Sequence, residues 1–449
     1  MHLRISKNLR FLALNSILTF PNQIFLKHLR ALVVIPSPYD QPHQVHACME
    51  YCRAVLAKLP QNYKTFADDI GNLISLPDCI PNRPIVYLSA HIDTVPADAT
   101  EWDPPFHPFV PFEDSEQLIG RGVNDCKAGV AFQLTIAEMI AKRIIVCHNV
   151  AFLITFKEEG PGVKTATKLG AALGKVLPIN NEELTYLIVL ENTTSALPNP
   201  ILEVFLSERT NYAVQIRQPI RKIRSLLAGK LSDWQPIAIA PIDTAARNWA
   251  AHRHIGGHAA QLTDGSNPLR EILLKSDEAI LVRAGVISNF ATVPATIETS
   301  PTAEDLVHIC TLNLRSEKTP EAVANDLKGE SYIAIKDFSI SGGLREHPEA
   351  RESPLLSHLQ QATAANGMEF RLSVNRGSSD ATIITSQTDI SVRKHLIPLV
   401  AGPGCRSERL LTPQRLTHGK NETFFKAAGL SASNALLAAL VASKFCERA

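Results

Sequence analysis

The sequence predicts an α/β fold: helices sandwiching a mostly parallel sheet, with a smaller α/β unit inserted in the middle. Three observations predict it. Short, continuously apolar runs recur at 84–90, 149–156 and 184–190, helix-like stretches lie between them, and the middle of the chain turns to runs that alternate. Apolar runs without alternation suit strands buried on both faces, as in a parallel sheet covered by helices.

The first twenty residues, "MHLRISKNLRFLALNSILTF", are basic and then apolar, with no acidic residue before Asp40. This leaves a targeting segment open. The apolar part is short and no small-residue cleavage site follows it, so an N-terminal helix is the expectation. "PIVYLSA" (84–90) is the first buried strand, "DCKAGVAFQLTIAEMIAKR" (125–143) a helix, and "NVAFLITF" (149–156) the next strand. "TATKLGAALGKVL" (165–177) is a second helix and "LTYLIVL" (184–190) a third strand. Strand, helix and strand at this spacing read as one α/β layer system.

In the middle, "NYAVQIRQ" (211–218) and "LVHICTLNLRS" (306–316) alternate, with a helix-like "PLREILLKS" (268–276) between them. The basic stretch "RQPIRKIRSLLAGK" (217–230) spaces its charges as a solvated helix face does. "HLIPLVAGPG" (395–404) and an Ala/Leu-rich helix at about 422–445 resume the first layer. The expected boundaries are 1–207 and 320–449 for the two parts of the larger domain and 208–319 for the inserted one.

The 449 residues suffice for two or three domains, and 45% hydrophobic with 20% charged residues describes a globular chain with a sizeable core. A formal net charge of +1 speaks against a nucleic-acid or membrane-surface binder. The eight cysteines form no CxxC pair, so reduced thiols in a cytoplasmic protein are expected. No run reaches the roughly 18 apolar residues of a membrane span.

The chemistry sits where the buried strands end. His91 and Asp93 follow the first; Lys157, Glu158 and Glu159 follow the second; Glu191 follows the third. Sites in open α/β sheets form outside the carboxyl ends of the strands, so these groups converge on one edge. Asp125, in the glycine-flanked "GRGVNDCKAG", is a further candidate. Each fragment alone has an ordinary explanation: an HxD loop pair, a solvated EE turn, a surface His418 at a helix start. Together, clustered carboxylates repel unless protonated or neutralised by cations. With a histidine among them, a divalent metal resolves the conflict, and five or six ligands suit two ions sharing a carboxylate. A phosphatase or nuclease could also cluster carboxylates, but the neutral charge gives it no basic channel. A non-catalytic binding module is a further alternative, and it would be expected to lack a ligand or a base.

The motifs in combination resemble the di-metal aminoacylase/carboxypeptidase family (M20-type metallopeptidases), the branch with acetylornithine deacetylase and succinyl-diaminopimelate desuccinylase. The resemblance rests on "SAHIDTVPA", "LIGRGVNDCKAGVA", "ITFKEEGPG", "VLEN", "RGSSDA" (376–381) and "AGPG…THGKNE", and spans about 28–440. It implies a three-layer catalytic domain with a mostly parallel central sheet and an inserted lid and dimerisation domain. It implies two divalent ions per chain, zinc first, with cobalt or manganese as substitutes. Asp125 would bridge them, with His91 and Glu191 completing one site and Glu159 and His418 the other. Asp93 would accept the other ring N–H of His91, and Glu158 would be the general base. Lys157 takes no role.

In the inserted unit, "IGGHAAQLTDGSNPLREIL" (255–273) resembles the family's histidine-bearing lid segment, which implies that His258 would polarise the scissile carbonyl across a dimer interface. His252 and His254 are expected to be surface histidines, with an H-x-H-x₃-H zinc site as the alternative. Arg315 would take the substrate carboxylate, a task its fork suits, with Asn289 beside it and Ser379 in a substrate-contact loop; a surface salt bridge is the competing reading of Arg315. The resemblance also implies a cis peptide between Asp125 and Cys126. The stretch from Gln215 to Gly256 is longer than the family pattern, and Asn313 stands where aspartate is usual. The implied activity is removal of an N-acyl group from an amino acid, acetylornithine first, with succinyl-diaminopimelate or a peptide as alternatives. The implied partners are such a small molecule and a second copy of the chain, with no nucleic acid and no membrane.

Overall fold

The computed structural model describes residues 18–160, 164–179, 183–196, 199–208, 210–219, 297–300, 307–316, 343–375, 379–406 and 418–449. The expected N-terminal helix, the helix-like 268–276, and His252, His254, His258 and Asn289 lie outside the described residues.

Helices α1 (Asn22–Val34) and α2 (Pro42–Leu56) open the described chain, followed by strands β1 (Tyr63–Ala67), β2 (Leu73–Pro77) and β3 (Ile85–His91). The short strands β4 (Phe112–Glu113) and β5 (Gln117–Ile119) precede α3 (Lys127–Ala141), β6 (Ile145–Cys147) and β7 (Val150–Thr155). Then come α4 (Ala166–Ala172), β8 (Thr185–Val189), β9 (Thr194–Ser195), β10 (Ile201–Glu208), β11 (Thr210–Pro219), β12 (Ile297–Ser300) and β13 (Val307–Ser316). The rest is α5 (Pro354–Ala365), β14 (Glu369–Asn375), α6 (Asp380–Gln387), α7 (Ile390–Arg393), β15 (Leu396–Val400), β16 (Thr423–Phe425), α8 (Lys426–Ala442) and β17 (Cys446–Arg448).

The main sheet has nine strands in the order β1-β2-β7-β3-β8-β15-β10-β14, with β9 on β10. Its centre, β7-β3-β8-β15, is parallel, and β1, β2 and β10 pair antiparallel around it. Every residue of β3, β7, β8 and β15 is buried, which is why their sequences are apolar without alternation. Alternate residues feed two cores. Val86, Leu88 and Ala90 of β3 join residues of α1, α2, α3, α5 and α8 in one; Ile85 and Tyr87 join residues of α4 and α6 in the other. Helices therefore cover both faces, and the mixed α/β fold with a parallel centre is as the sequence predicts.

By contact density the described chain forms two units. One takes in residues up to 207, 344–375 and 379–449; the other begins at Glu208 and holds β11, β12 and β13. The second unit's strands form an antiparallel sheet in the order β11-β13-β12, with Arg315 opposite Asn211. Residues 217–219, read from sequence as part of a helix face, belong to β11.

Two further expectations are corrected. The C-terminal helix begins at Lys426 rather than near 422, because Thr423–Phe425 pair with β5 as β16. The cysteines are not all reduced thiols: Cys147 and Cys446 form a disulfide. Antiparallel pairing of β17 with β6 sets these two residues directly opposite each other, although 299 positions separate them. Among the described residues, no helix is long and apolar enough to cross a membrane.

Candidate metal centre

Register places the first three groups. His91 is the last residue of β3; Ser89 pairs with Val189 on β8, so Glu191, two residues on, lies level with His91. Thr155, the end of β7, pairs with His91, and the chain then runs to Glu158 and Glu159. Gly402, after β15, packs against the backbone of Glu191: a Cβ there would come within 2.1 Å of its carbonyl oxygen. Only glycine allows that approach.

Two groups arrive by other routes. Asp125 ends the loop before α3, and the Asp125–Cys126 peptide is cis. His418 sits in the left-handed region at φ 59°, uncommon for a residue with a side chain. Together the five groups are compact. One Asp125 oxygen, Oδ1, lies 3.0 Å from His91 Nε2; the other, Oδ2, lies 3.1 Å from His418 Nε2. Glu191 Oε1 is 3.8 Å from His91 Nε2, and Glu159 Oε1 is 2.9 Å from His418 Nε2.

These separations match a shared cation. Ligand atoms bound tetrahedrally to zinc at 2.0–2.1 Å lie about 3.3 Å apart. The ring of His91 fixes the direction. Its Nδ1 faces two acceptors, the Asp93 carbonyl at 2.9 Å and Asp93 Oδ1 at 3.4 Å, so the ring proton resides there. Nε2 is then a lone pair facing the Asp125 carboxylate, a contact that holds only with a proton or a metal between. Asp93 thus faces the His91 ring N–H with its carbonyl and, farther off, its carboxylate. The carboxylate also accepts from the backbone N–H of Glu158 at 3.0 Å and of Glu159 at 2.9 Å. One residue orients both the histidine and the double-glutamate turn.

Electrostatics describe a site with too much negative charge. Burial, reinforced by Glu159 and opposed by His91, pushes Glu158 up to about 8. Burial also raises Glu159 and takes Glu191 well above the carboxylate range, with Asp125 adding to both. Asp125 runs the other way. Burial opposes its charge, but hydrogen bonds to His418 and His91 outweigh that and hold it low. Burial also disfavours the His91 cation, and the surrounding anions, Asp125 and Asp93 included, push its pKa well up. His418 is likewise lifted against burial by Glu159 and Asp125, to about 11, although its side chain is 40% exposed and solvent screens part of the pull.

Sequence reading missed several neighbours. Asn192 donates from Nδ2 to Asp125 Oδ2 at 3.0 Å; it is the last letter of "VLEN" and could have been marked. Asp380 accepts a 2.6 Å hydrogen bond from Thr155 Oγ1 at the end of β7, and burial raises its pKa. Cys126 lies within ligand distance of His91 and Glu191. Its S–H donates to the Leu190 carbonyl at 2.9 Å, and burial and Glu191 raise its pKa, so it stays a thiol. Ser379 caps α6 by accepting from Ala381 N. Arg315 lies on β13 of the second unit.

A model of the family described as "Peptidase family M20/M25/M40" matches residues 87–441. The succinyl-diaminopimelate desuccinylase of Delftia acidovorans is 36% identical over 115 residues, 25% of this chain and 28% of the relative. That of Coxiella burnetii is 34% identical over 115 residues, 25% of this chain and 29% of the relative. The match thus spans less than a third of the length of these curated relatives. Among solved structures, human carnosine dipeptidase 1 aligns with a TM-score of 0.58 at 13% identity, covering 98% of this chain and 99% of that one. An M20 family metallo-carboxypeptidase from Sulfolobus solfataricus also gives 0.58, at 14% identity, covering 94% and 99%. At these identities the structural likeness speaks for the fold.

Proposed function

Because the chain belongs to peptidase family M20/M25/M40, we propose that it is an amide hydrolase that removes an N-acyl group from an amino acid using two divalent ions. The observation that carries the reading is Asp125, with one carboxylate oxygen toward His91 and the other toward His418. His91 and Glu191 would hold one ion, Glu159 and His418 the other, with Asp125 common to both. Zinc suits this nitrogen and oxygen donor set, with cobalt or manganese as substitutes. When bound, the ions lower the pKa of water to near neutrality and polarise the substrate carbonyl.

The chain's own residues supply the rest. Glu158 is the proton carrier: adjacent to a ligand and half-buried, it takes a proton on attack and returns it to the leaving amine. Asp93 keeps that carboxyl in place through the two backbone N–H groups it accepts. We assign the oxyanion contact to His258 from the second subunit of a homodimer, and the substrate carboxylate to Arg315 with Asn289 and Ser379 beside it. Residues 208–319 would be the lid and dimer surface, flanked by the catalytic parts 1–207 and 320–449.

Acetylornithine is the substrate favoured by the sequence motifs; the desuccinylase names of the curated relatives bring succinyl-diaminopimelate level with it. A dipeptide is the second reading, since one activated water attacks either amide and the fold is shared with a dipeptidase. A hydrolysis panel of N-acetyl and N-succinyl amino acids and dipeptides separates them. Turnover of acyl amino acids that a chelator abolishes is expected; turnover of dipeptides alone would replace the deacylase reading.

A further inference from the structure

The side chain of Glu422 reaches from one candidate ligand's segment to the other's loop. It is 1% exposed and stands four residues after His418. Its Oε2 accepts from Arg121 Nη1 at 3.0 Å and from the Gly122 N–H at 2.9 Å; its Oε1 accepts from the Asn124 N–H at 2.9 Å and the Asp125 N–H at 3.3 Å. The loop answers through Gly120 N–H to the Glu422 carbonyl at 3.0 Å and Asn124 Nδ2 to the Thr423 carbonyl at 2.8 Å. One carboxylate thus gathers four donors from residues 121–125, about 300 positions away in sequence. Three of these are backbone N–H groups converging on a single anion, and the last belongs to Asp125 itself.

We propose that Glu422 is a positioning residue for the metal centre: it fixes the 121–125 loop so that Asp125 presents one oxygen to His91 and the other to His418. The full set constrains the backbone atom that carries the bridging carboxylate, and it ties that atom to the segment bearing His418. Outer partners of metal ligands act in this way, and losing one typically costs about 10–100-fold in metal affinity. The inference rests on the two-ion reading above.

The test strips wild type, Glu422→Gln and Arg121→Gln with a chelator, then titrates each with zinc against a chromophoric competitor while recording the Tm of the metal-free proteins. Glu422→Gln keeps the volume but turns an amide NH₂ toward backbone donors. It should bind zinc at least about tenfold more weakly, and excess zinc should restore much of its activity. Arg121→Gln leaves the carboxylate and its three backbone donors in place. It should lose a similar amount of Tm but less than about threefold in affinity. Zinc binding by Glu422→Gln within threefold of wild type overturns the proposal. So do equal affinity losses in both variants that follow their Tm, since that is the behaviour of a general fold anchor. If Glu422→Gln does not fold, Glu422→Asp is read by the same criteria, because it keeps the charge and falls one methylene short of the loop. Wild type that takes up no zinc contradicts the metal centre itself, an outcome distinct from failure of the clamp.

Discussion

Two histidine–carboxylate clusters in this protein are built differently. Between α1, α2 and α3, His28 is fully buried with each ring nitrogen partnered: Tyr51 O–H donates to Nδ1 at 2.8 Å, and Nε2–H donates to Glu138 Oε2 at 2.9 Å. Glu138 in turn has Lys27 at 3.0 Å and Lys142 at 2.6 Å. Burial works to raise Glu138, but the two ammonium groups outweigh it and bring it to about 2; burial brings His28 down to about 4. Every charge has a partner and the imidazole is neutral. At the sheet edge, His91 and His418 face Asp125, Glu159 and Glu191, with Glu158 adjacent. Among the described residues, Lys164 donates there to the backbone carbonyls of Glu158 and Gly160 and to no carboxylate. A buried cluster that closes its own charge balance is structural. One that leaves carboxylates in surplus is built for a cation from outside.

Substitutions sharpen that contrast. The largest effect is expected for Glu158→Gln: loss of a general base costs about 10²–10⁴-fold in kcat, with metal content unchanged by elemental analysis. Glu159→Gln should instead weaken metal binding, by about tenfold or more in a competition titration. If both variants lost metal alike, the division of roles within the pair would be wrong. The balanced cluster should respond only in stability. His28 titrates near 4 in the fold and near 6.5 unfolded, so below about 6.5 the unfolded chain gains a proton that the folded chain refuses. The His28 contribution to stability is therefore full above pH 6.5 and falls as pH drops toward 4, by of order 2–3 kcal/mol. Urea unfolding of wild type and His28→Gln across that range should show the stability difference between them shifting by this amount against wild type as pH falls. Smallest is Tyr51→Phe, which strands the His28 acceptor and should cost about 1–2 kcal/mol with no change in metal content.

The legible parts of the molecule are those where local sequence carries the physics. β3, β7, β8 and β15 are buried on both faces, so their apolar runs are continuous and the polar residues at their ends stand out. His91, Glu158, Glu159 and Glu191 follow from that alone. Asp125 and His418 were marked through motifs and not through periodicity, because loops place them. What tethers those loops was invisible: Glu422 meets its donors about 300 residues away, and a motif string shows only that a glutamate follows His418. Cys147 and Cys446 escaped for the same reason, since cysteine spacing reads local pairs and theirs is set by β6 meeting β17. Residues 423–425 look helical beside the Ala/Leu-rich helix, but pairing with β5 claims them first.

The surplus of negative charge at the sheet edge is tested most directly by counting the ions it binds. Purified protein is dialysed against zinc, freed of excess, and its metal content measured per chain alongside activity before and after chelation. About two ions per chain are expected, falling below one in Asp125→Ala, with activity lost on chelation and recovered on returning zinc. No bound metal in wild type, with hydrolysis that survives the chelator, would contradict the assignment of His91, Asp125, Glu159, Glu191 and His418 as a shared metal centre.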